Sequence, residues 1–188
     1  MRIGLVGAHG TGKSSLVKAW LEKHPEYYTP PVEESRKVLA KGLGMNFETN
    51  PETQEAFRIT LKEMIESIKL KKDAITPRTS IDTYVYNLYF FRRPQYGISR
   101  EFTEASREYT LKALGVWDLF VYCPIMWKLE EESEFRVGQK DNPDYQKEID
   151  DYTYSFLINY NVPHIILTKR EDEQRIIEIE KAIEERKG

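Results

Sequence analysis

The sequence predicts an α/β protein, a three-layer fold in which a mostly parallel, five-stranded sheet carries helices on both faces. Three observations predict it. Short apolar runs of strand type alternate with longer helical patterns along the chain, the order that builds a parallel sheet covered on both sides. The first run, Arg2-Ile3-Gly4-Leu5-Val6, leads straight into Gly7-Ala8-His9-Gly10-Thr11-Gly12-Lys13-Ser14. There Gly7, Gly12, Lys13 and Ser14 satisfy the phosphate-loop pattern G-x-x-x-x-G-K-[ST]. A helical pattern follows at once, so strand, glycine turn and helix stand in the order this motif needs.

The remaining elements follow in order. The first helix is expected from about Lys13 to His24, with Pro25 ending it. Residues 27–33, with Pro30 and Pro31, read as a short strand near a sheet edge. A helix over 33–40 stops at Gly42 and Gly44. Asn50 and Pro51 cap and open a helix that carries Phe57, Leu61, Met64, Ile65 and Ile68 to about Lys71. Asp73 to Thr76 is a short strand, and Ser80 to Phe91 an aromatic-rich helix closed by Arg92-Arg93-Pro94. Phe102 to Leu114 is helical, and Trp117 to Tyr122 is a strand. Residues 125–144 read as a mobile segment, followed by a helix from about Pro143 to Tyr160, a strand from Val162 to Leu167 and a last helix from Glu171 to Arg186. In such a fold the site lies at the carboxyl ends of the strands.

Composition narrows the function classes. The 188 residues suit one domain. A net charge of −3 gives no global attraction to nucleic acid or membrane, although a local basic patch would not show in that total. Cys123, the one cysteine, rules out an internal disulfide and sits in an apolar run as buried packing. No apolar run approaches the ~20 residues of a membrane span, and the first residues do not form a signal peptide. The expectation is a cytoplasmic protein, monomeric or homodimeric.

The loop residues match a polyphosphate ligand. Backbone N–H groups must point inward, and Gly7, Gly10 and Gly12 allow the dihedrals and the close approach this needs. His9, Thr11 and Ser15 complete the cradle, and the following helix adds unpaired N–H groups and a partial positive charge. Lys13 supplies a flexible point charge for the terminal phosphates and is expected to stand exposed. Ser14 offers a hydroxyl to Mg²⁺. The expected cofactors are therefore ATP and Mg²⁺.

Three further stretches stand out: Val32-Glu33-Glu34-Ser35-Arg36, Pro77-Arg78-Thr79-Ser80-Ile81-Asp82 and Glu134-Phe135-Arg136-Val137-Gly138-Gln139-Lys140-Asp141. With the phosphate loop, they make the chain resemble a small P-loop kinase of the nucleoside and nucleotide kinase group. The likeness extends to thymidylate kinases and to the ATPase/kinase-like domains, often phage-encoded, that include bacterial nicotinamide riboside kinase. That resemblance implies the P-loop NTPase fold. It also implies transfer of the γ-phosphoryl group of ATP to a nucleotide, such as a deoxynucleoside monophosphate, or to a nucleoside.

The resemblance also assigns residues. Glu33 is the candidate base for the acceptor hydroxyl, with Glu34 as the alternative, and Arg36 clamps the acceptor. Arg78 meets phosphate. Pro77 stands where relatives carry an acid that helps hold the metal, so Asp82 becomes the candidate second metal anchor and acceptor contact, while Glu33 could instead hold a metal-bound water. Arg136, with Lys140, closes a lid over the transferring group, and Gly138 gives the pivot. Tyr86 is the candidate acceptor wall. Its neighbours Tyr84, Asn87, Tyr89, Arg92, Arg93 and Gln95 read either as pocket or as packed helix. Arg92 and Arg93 would supply extra cations for a nucleotide's phosphate.

Three other readings compete: a kinase acting on a modified base or an end within nucleic acid, a P-loop ATPase or regulatory nucleotide binder, and a degenerate, non-catalytic binder, for which Pro77 is the support. The strand ending at Tyr122 is followed by Cys123-Pro124 and carries no Asp-Glu pair. No Asn-Lys-x-Asp occurs, which disfavours guanine recognition.

Overall fold

The computed structural model describes residues 1–30, 62–127 and 142–186. Among the described residues four parallel strands form one sheet: β1 (Arg2–Val6), β2 (Ala74–Thr76), β3 (Leu119–Tyr122) and β4 (His164–Ile166), in the order β2-β1-β3-β4. The chain leaves β1 for β2 on one side, then crosses to β3 on the other. The switch point of the sheet therefore lies at the carboxyl end of β1, where a ligand crevice is expected.

The expected fifth strand, over 27–33, survives among the described residues only as a single parallel bridge between Tyr28 and Ala74. Tyr28 N donates to Asp73 O and Ile75 N donates to Tyr28 O, on the edge of β2 away from β1. Pro30 has no N–H with which to extend the ladder, and residues 31–33 lie outside the described set. The helices expected over 33–40 and at the start of 51–71 lie outside it too; residues 62–69 are helical as expected.

Among the described residues the helical segment 62–69 and five further α-helices cover the sheet: α1 (Lys13–Lys23), α2 (Ser80–Phe91), α3 (Arg100–Ala113), α4 (Tyr145–Asn159) and α5 (Asp172–Glu185). Side-chain alternation along β1 divides the core between the two faces. Ile3 and Leu5 join Leu16, Val17 and Trp20 of α1 and Ile176, Ile179 and Ile183 of α5. Val6 faces the other way, with Ile81, Val85 and Tyr89 of α2 and Ile149 and Phe156 of α4. Each fully buried large side chain contributes about 1.5–3 kcal/mol.

Local chemistry sets where the helices begin. α3 starts two residues earlier than expected because the Ser99 hydroxyl accepts from Phe102 N at 3.0 Å. α4 starts two residues later than Pro143, because Asn142 Oδ1 accepts from Asp144 N at 3.0 Å and holds that dipeptide in a turn. β4 is shorter than the expected Val162–Leu167 strand.

Candidate functional site

The glycine turn after β1 takes the shape its composition demands. Gly7 has φ 141°, Gly10 φ 72° and Gly12 φ 75°. At Gly7 the need is double, since a Cβ there would lie 2.4 Å from the carbonyl oxygen of Cys123. That proximity follows from Cys123 N donating to Val6 O at 2.8 Å, which draws the tail of β3 against the loop. Gly12 is the left-handed N-cap of α1. Its carbonyl accepts from Leu16 N at 3.0 Å and from the Ser15 hydroxyl at 2.8 Å.

Lys13 departs from expectation. It is only 6% exposed. Its Nζ donates to Gly7 O at 2.7 Å, to Ala8 O at 2.5 Å and to Thr11 Oγ1 at 3.2 Å. The loop that turns its N–H groups one way turns these carbonyls toward the ammonium, and a compact charge on a flexible stem folds back to meet them. Thr11 completes the turn by donating to Ala8 O at 2.9 Å. Ser14 is exposed at the start of α1.

His9 was expected among the phosphate contacts, but its side chain turns into the protein. Nδ1 lies 3.1 Å from the Tyr86 hydroxyl on α2, and the ring sits 4.8 Å from that of Tyr145 on α4. The Gln146 amide donates to His9 O at 2.8 Å. The loop tip is thereby tied to α2 and α4.

Beyond β2, the Thr79 hydroxyl accepts from Ile81 N at 3.2 Å, while Asp82 Oδ2 accepts from Thr79 N at 2.8 Å. This reciprocal cap starts α2 and fixes Asp82, which is 2% exposed, beside the loop. Burial pushes the Asp82 carboxyl above the usual carboxylate range, against the opposing charges of Lys13 and Arg78 and the Thr79 hydrogen bonds. Its Oδ1 is buried without a hydrogen-bond partner among the described residues. An unsatisfied carboxylate oxygen and the exposed Ser14 hydroxyl are hard donors that suit Mg²⁺, which keeps several waters and needs few protein ligands. No cluster of three or more His, Cys, Asp or Glu able to hold a metal occurs among the described residues.

Arg78 sits with its guanidinium carbon 5.9 Å from the centre of the Tyr86 ring. The structure thus brings Lys13, Arg78, Asp82, Tyr86 and the loop together at the strand ends. Glu33, Glu34, Arg36, Arg136, Gly138 and Lys140 lie outside the described residues.

The rest of the expected acceptor wall is packed helix. Tyr84 lies 5.5 Å from Phe156 and Tyr89 4.7 Å from Tyr145, ring to ring. Asn87 donates to the Ser106 hydroxyl at 3.0 Å in a buried contact between α2 and α3. Arg92 and Arg93 are committed to α4 rather than held out to a phosphate. Arg92 Nη1 donates to the Tyr152 hydroxyl at 3.0 Å, and Arg93 Nη2 reaches both oxygens of Glu148 at 2.9 and 2.8 Å. The Arg93 guanidinium also stacks 3.7 Å from the centre of the Tyr89 ring. A planar fork facing a carboxylate and an aromatic face at once has its best partners already.

Sequence reading missed two residues at the loop. Asp150 on α4 accepts from the Tyr122 hydroxyl at 2.9 Å. Burial pushes its carboxyl up, against that bond, the N–H groups of Ala8 and Ile125, and the charge of Lys13. Arg175 on α5 donates through Nη2 to Thr11 O at 3.0 Å. Cys123, as expected, is a buried free thiol, raised to about 11 chiefly by burial.

A protein-family profile described as an AAA domain matches residues 2–175. The chain belongs to this AAA domain family. No curated protein matches it in sequence comparison. Among solved structures, deoxyadenosine kinase from M. mycoides, with the products dCMP and dCDP, is similar at 14% identity and a TM-score of 0.67, over 98% of this chain and 100% of that one. NadR in complex with NR is similar at 13% identity and a TM-score of 0.60, over 91% of this chain and 44% of that one. Shikimate kinase from Acinetobacter baumannii, in complex with shikimate, is similar at 14% identity and a TM-score of 0.53, over 98% of this chain and 93% of that one. At these identities the likeness is one of fold: this AAA domain chain has the fold of small P-loop kinases. No helix among its described residues is long and apolar enough to cross a membrane.

Proposed function

We propose that the chain is an ATP-dependent kinase that moves the γ-phosphoryl group of ATP to a hydroxyl of a nucleoside or of a nucleotide such as a deoxynucleoside monophosphate. The observation that carries the reading is the convergence of Arg78, Asp82 and Tyr86 on the phosphate loop. An ATPase needs the loop and a cation to answer the phosphate charge, but has no use for an aromatic wall, suited to an acceptor, across from them.

In this reading the loop amides and Lys13 hold the phosphates of ATP. Ser14 and Asp82 would hold Mg²⁺, which when bound neutralises charge on the phosphates. Glu33 takes the proton of the acceptor hydroxyl, Arg36 and Arg78 position the acceptor, and Tyr86 forms its wall. Arg136 would stabilise charge on the equatorial oxygens of the transferring group. With Arg92 and Arg93 committed to α4, Arg78 and Arg36 remain as acceptor cations. That supply suits a nucleoside or a monophosphate better than a more highly charged acceptor.

The test is a panel of nucleosides, nucleoside monophosphates and a short oligonucleotide incubated with ATP and Mg²⁺, scored by mass spectrometry for phosphorylated product. One or more phosphorylated members are expected. Phosphorylation confined to an oligonucleotide, with salt-sensitive binding to it, would transfer the reading to a nucleic-acid end.

A further inference from the structure

Arg175 is a charged side chain with 0% exposure, and it reaches the phosphate loop from the last helix of the chain. Besides the bond from Nη2 to Thr11 O, Nη1 lies 3.3 Å from Asp172 Oδ1. Nη1 also lies 2.8 Å from where a Cβ on Gly12 would sit. The Trp127 ring lies against the guanidinium, 5.8 Å from its carbon to the ring centre. Nε has no hydrogen-bond partner among the described residues.

A guanidinium buried this completely is costly unless its charge is answered. Asp172, whose side chain is 30% exposed, is the one carboxylate in ion-pair range among the described residues. A Leu or Met would fill the space without that cost, so packing alone does not account for an arginine. Its position suggests what does. Lys13 grips the first turn of the loop through Gly7 O and Ala8 O, and Arg175 grips the second through Thr11 O. Two buried cations therefore hold the loop, one through its first carbonyls and one through the turn that opens α1.

We infer that Arg175 is a positioning residue of the donor site: it fixes the Thr11–Gly12 turn and holds behind the loop a positive charge that a bound polyphosphate answers. This rests on the reading that the loop binds a nucleoside triphosphate. The charge acts through the loop and touches no reacting atom.

The test is calorimetric titration of ATP, ADP and AMP, at fixed ionic strength, into the parent and into Arg175→Met, Arg175→Lys and Asp172→Asn. Arg175→Met is expected to weaken ATP by about tenfold or more, the size of one charge interaction across a protein surface, with smaller losses for ADP and AMP in that order. Arg175→Lys recovers part of the loss, and Asp172→Asn tightens ATP because the guanidinium is then less neutralised. Equal weakening of all three nucleotides, or none, would overturn the inference while leaving the donor reading intact. If Arg175→Met does not fold, Asp172→Asn decides: unchanged ATP affinity there overturns the inference. A parent protein that binds no triphosphate would overturn both.

Discussion

The Lys13 ammonium, besides its bond to Gly7 O, donates to the Ala8 carbonyl at 2.5 Å within the phosphate loop. The side chain proposed to meet the phosphates is thus also part of the loop's own structure. Lys13→Ala leaves the Gly7 and Ala8 carbonyls without their donor, at an expected cost of about 1–3 kcal/mol in denaturant melts. Phosphoryl transfer is expected to be lost in the same variant. Full stability would show that these contacts contribute nothing, and full turnover would remove Lys13 from the donor site.

Gly7→Ala combines a positive φ with a Cβ 2.4 Å from the backbone oxygen of Cys123. Neither partner is a flexible side chain that can move aside. The variant is expected to lose ATP binding and several kcal/mol of stability. Gly115→Ala is the control, since nothing lies within 4 Å of a Cβ there. Matching melting temperatures and ATP affinities for the two variants would contradict the loop geometry.

Asp82→Asn keeps a side-chain oxygen able to cap α2 and removes the charge. Stability is expected to change by less than about 1 kcal/mol, while the Mg²⁺ concentration for half-maximal turnover rises at least several-fold. Since burial holds the parent carboxyl above its usual range, its Mg²⁺ requirement should also rise as the pH falls. An unchanged Mg²⁺ dependence in Asp82→Asn would place the second metal anchor elsewhere.

The Arg93–Glu148 pair gives a pH test of stability. Burial alone would raise the Glu148 carboxyl, but hydrogen bonds from Arg93 and Asn142 hold it below its ordinary value of 4.5. A carboxyl depressed on folding stabilises the protein above the unfolded value and loses that contribution as the pH falls through the folded one. The melting-temperature gap between the parent and Glu148→Gln is therefore expected to be constant above about pH 6 and to close below 4.5. A gap that persists unchanged at low pH would mean the pair is held by packing, not charge.

The parts legible in the sequence were those that local rules dictate. The glycine spacing, the strand before it and the alternation of elements all depend on neighbours a few residues away. Asp150 and Arg175 were not legible, because their loop partners Ala8 and Thr11 lie more than 140 residues away, and a lone acid or base on a helix carries no mark of what it faces. Which of the two readings left open for Arg92 and Arg93 holds was not legible for the same reason, since Tyr152 and Glu148 reach them only through the packing of α2 on α4. Asp82 was singled out only because Pro77 stands where an acid was expected and Asp82 is the next acid along; neither its reciprocal cap with Thr79 nor its unsatisfied oxygen was read from the sequence.

The most direct test of transfer follows a labelled γ-phosphoryl group in the presence of the best acceptor, in the parent and in Glu33→Gln. In the parent the label is expected on the acceptor, with little free phosphate. Glu33→Gln removes the proposed base and keeps the shape, so label on the acceptor should appear ~10²- to 10⁴-fold more slowly. ATP affinity should hardly change, and slow hydrolysis to phosphate should persist. Label released as free phosphate by the parent, at a rate no acceptor alters, would contradict the kinase reading.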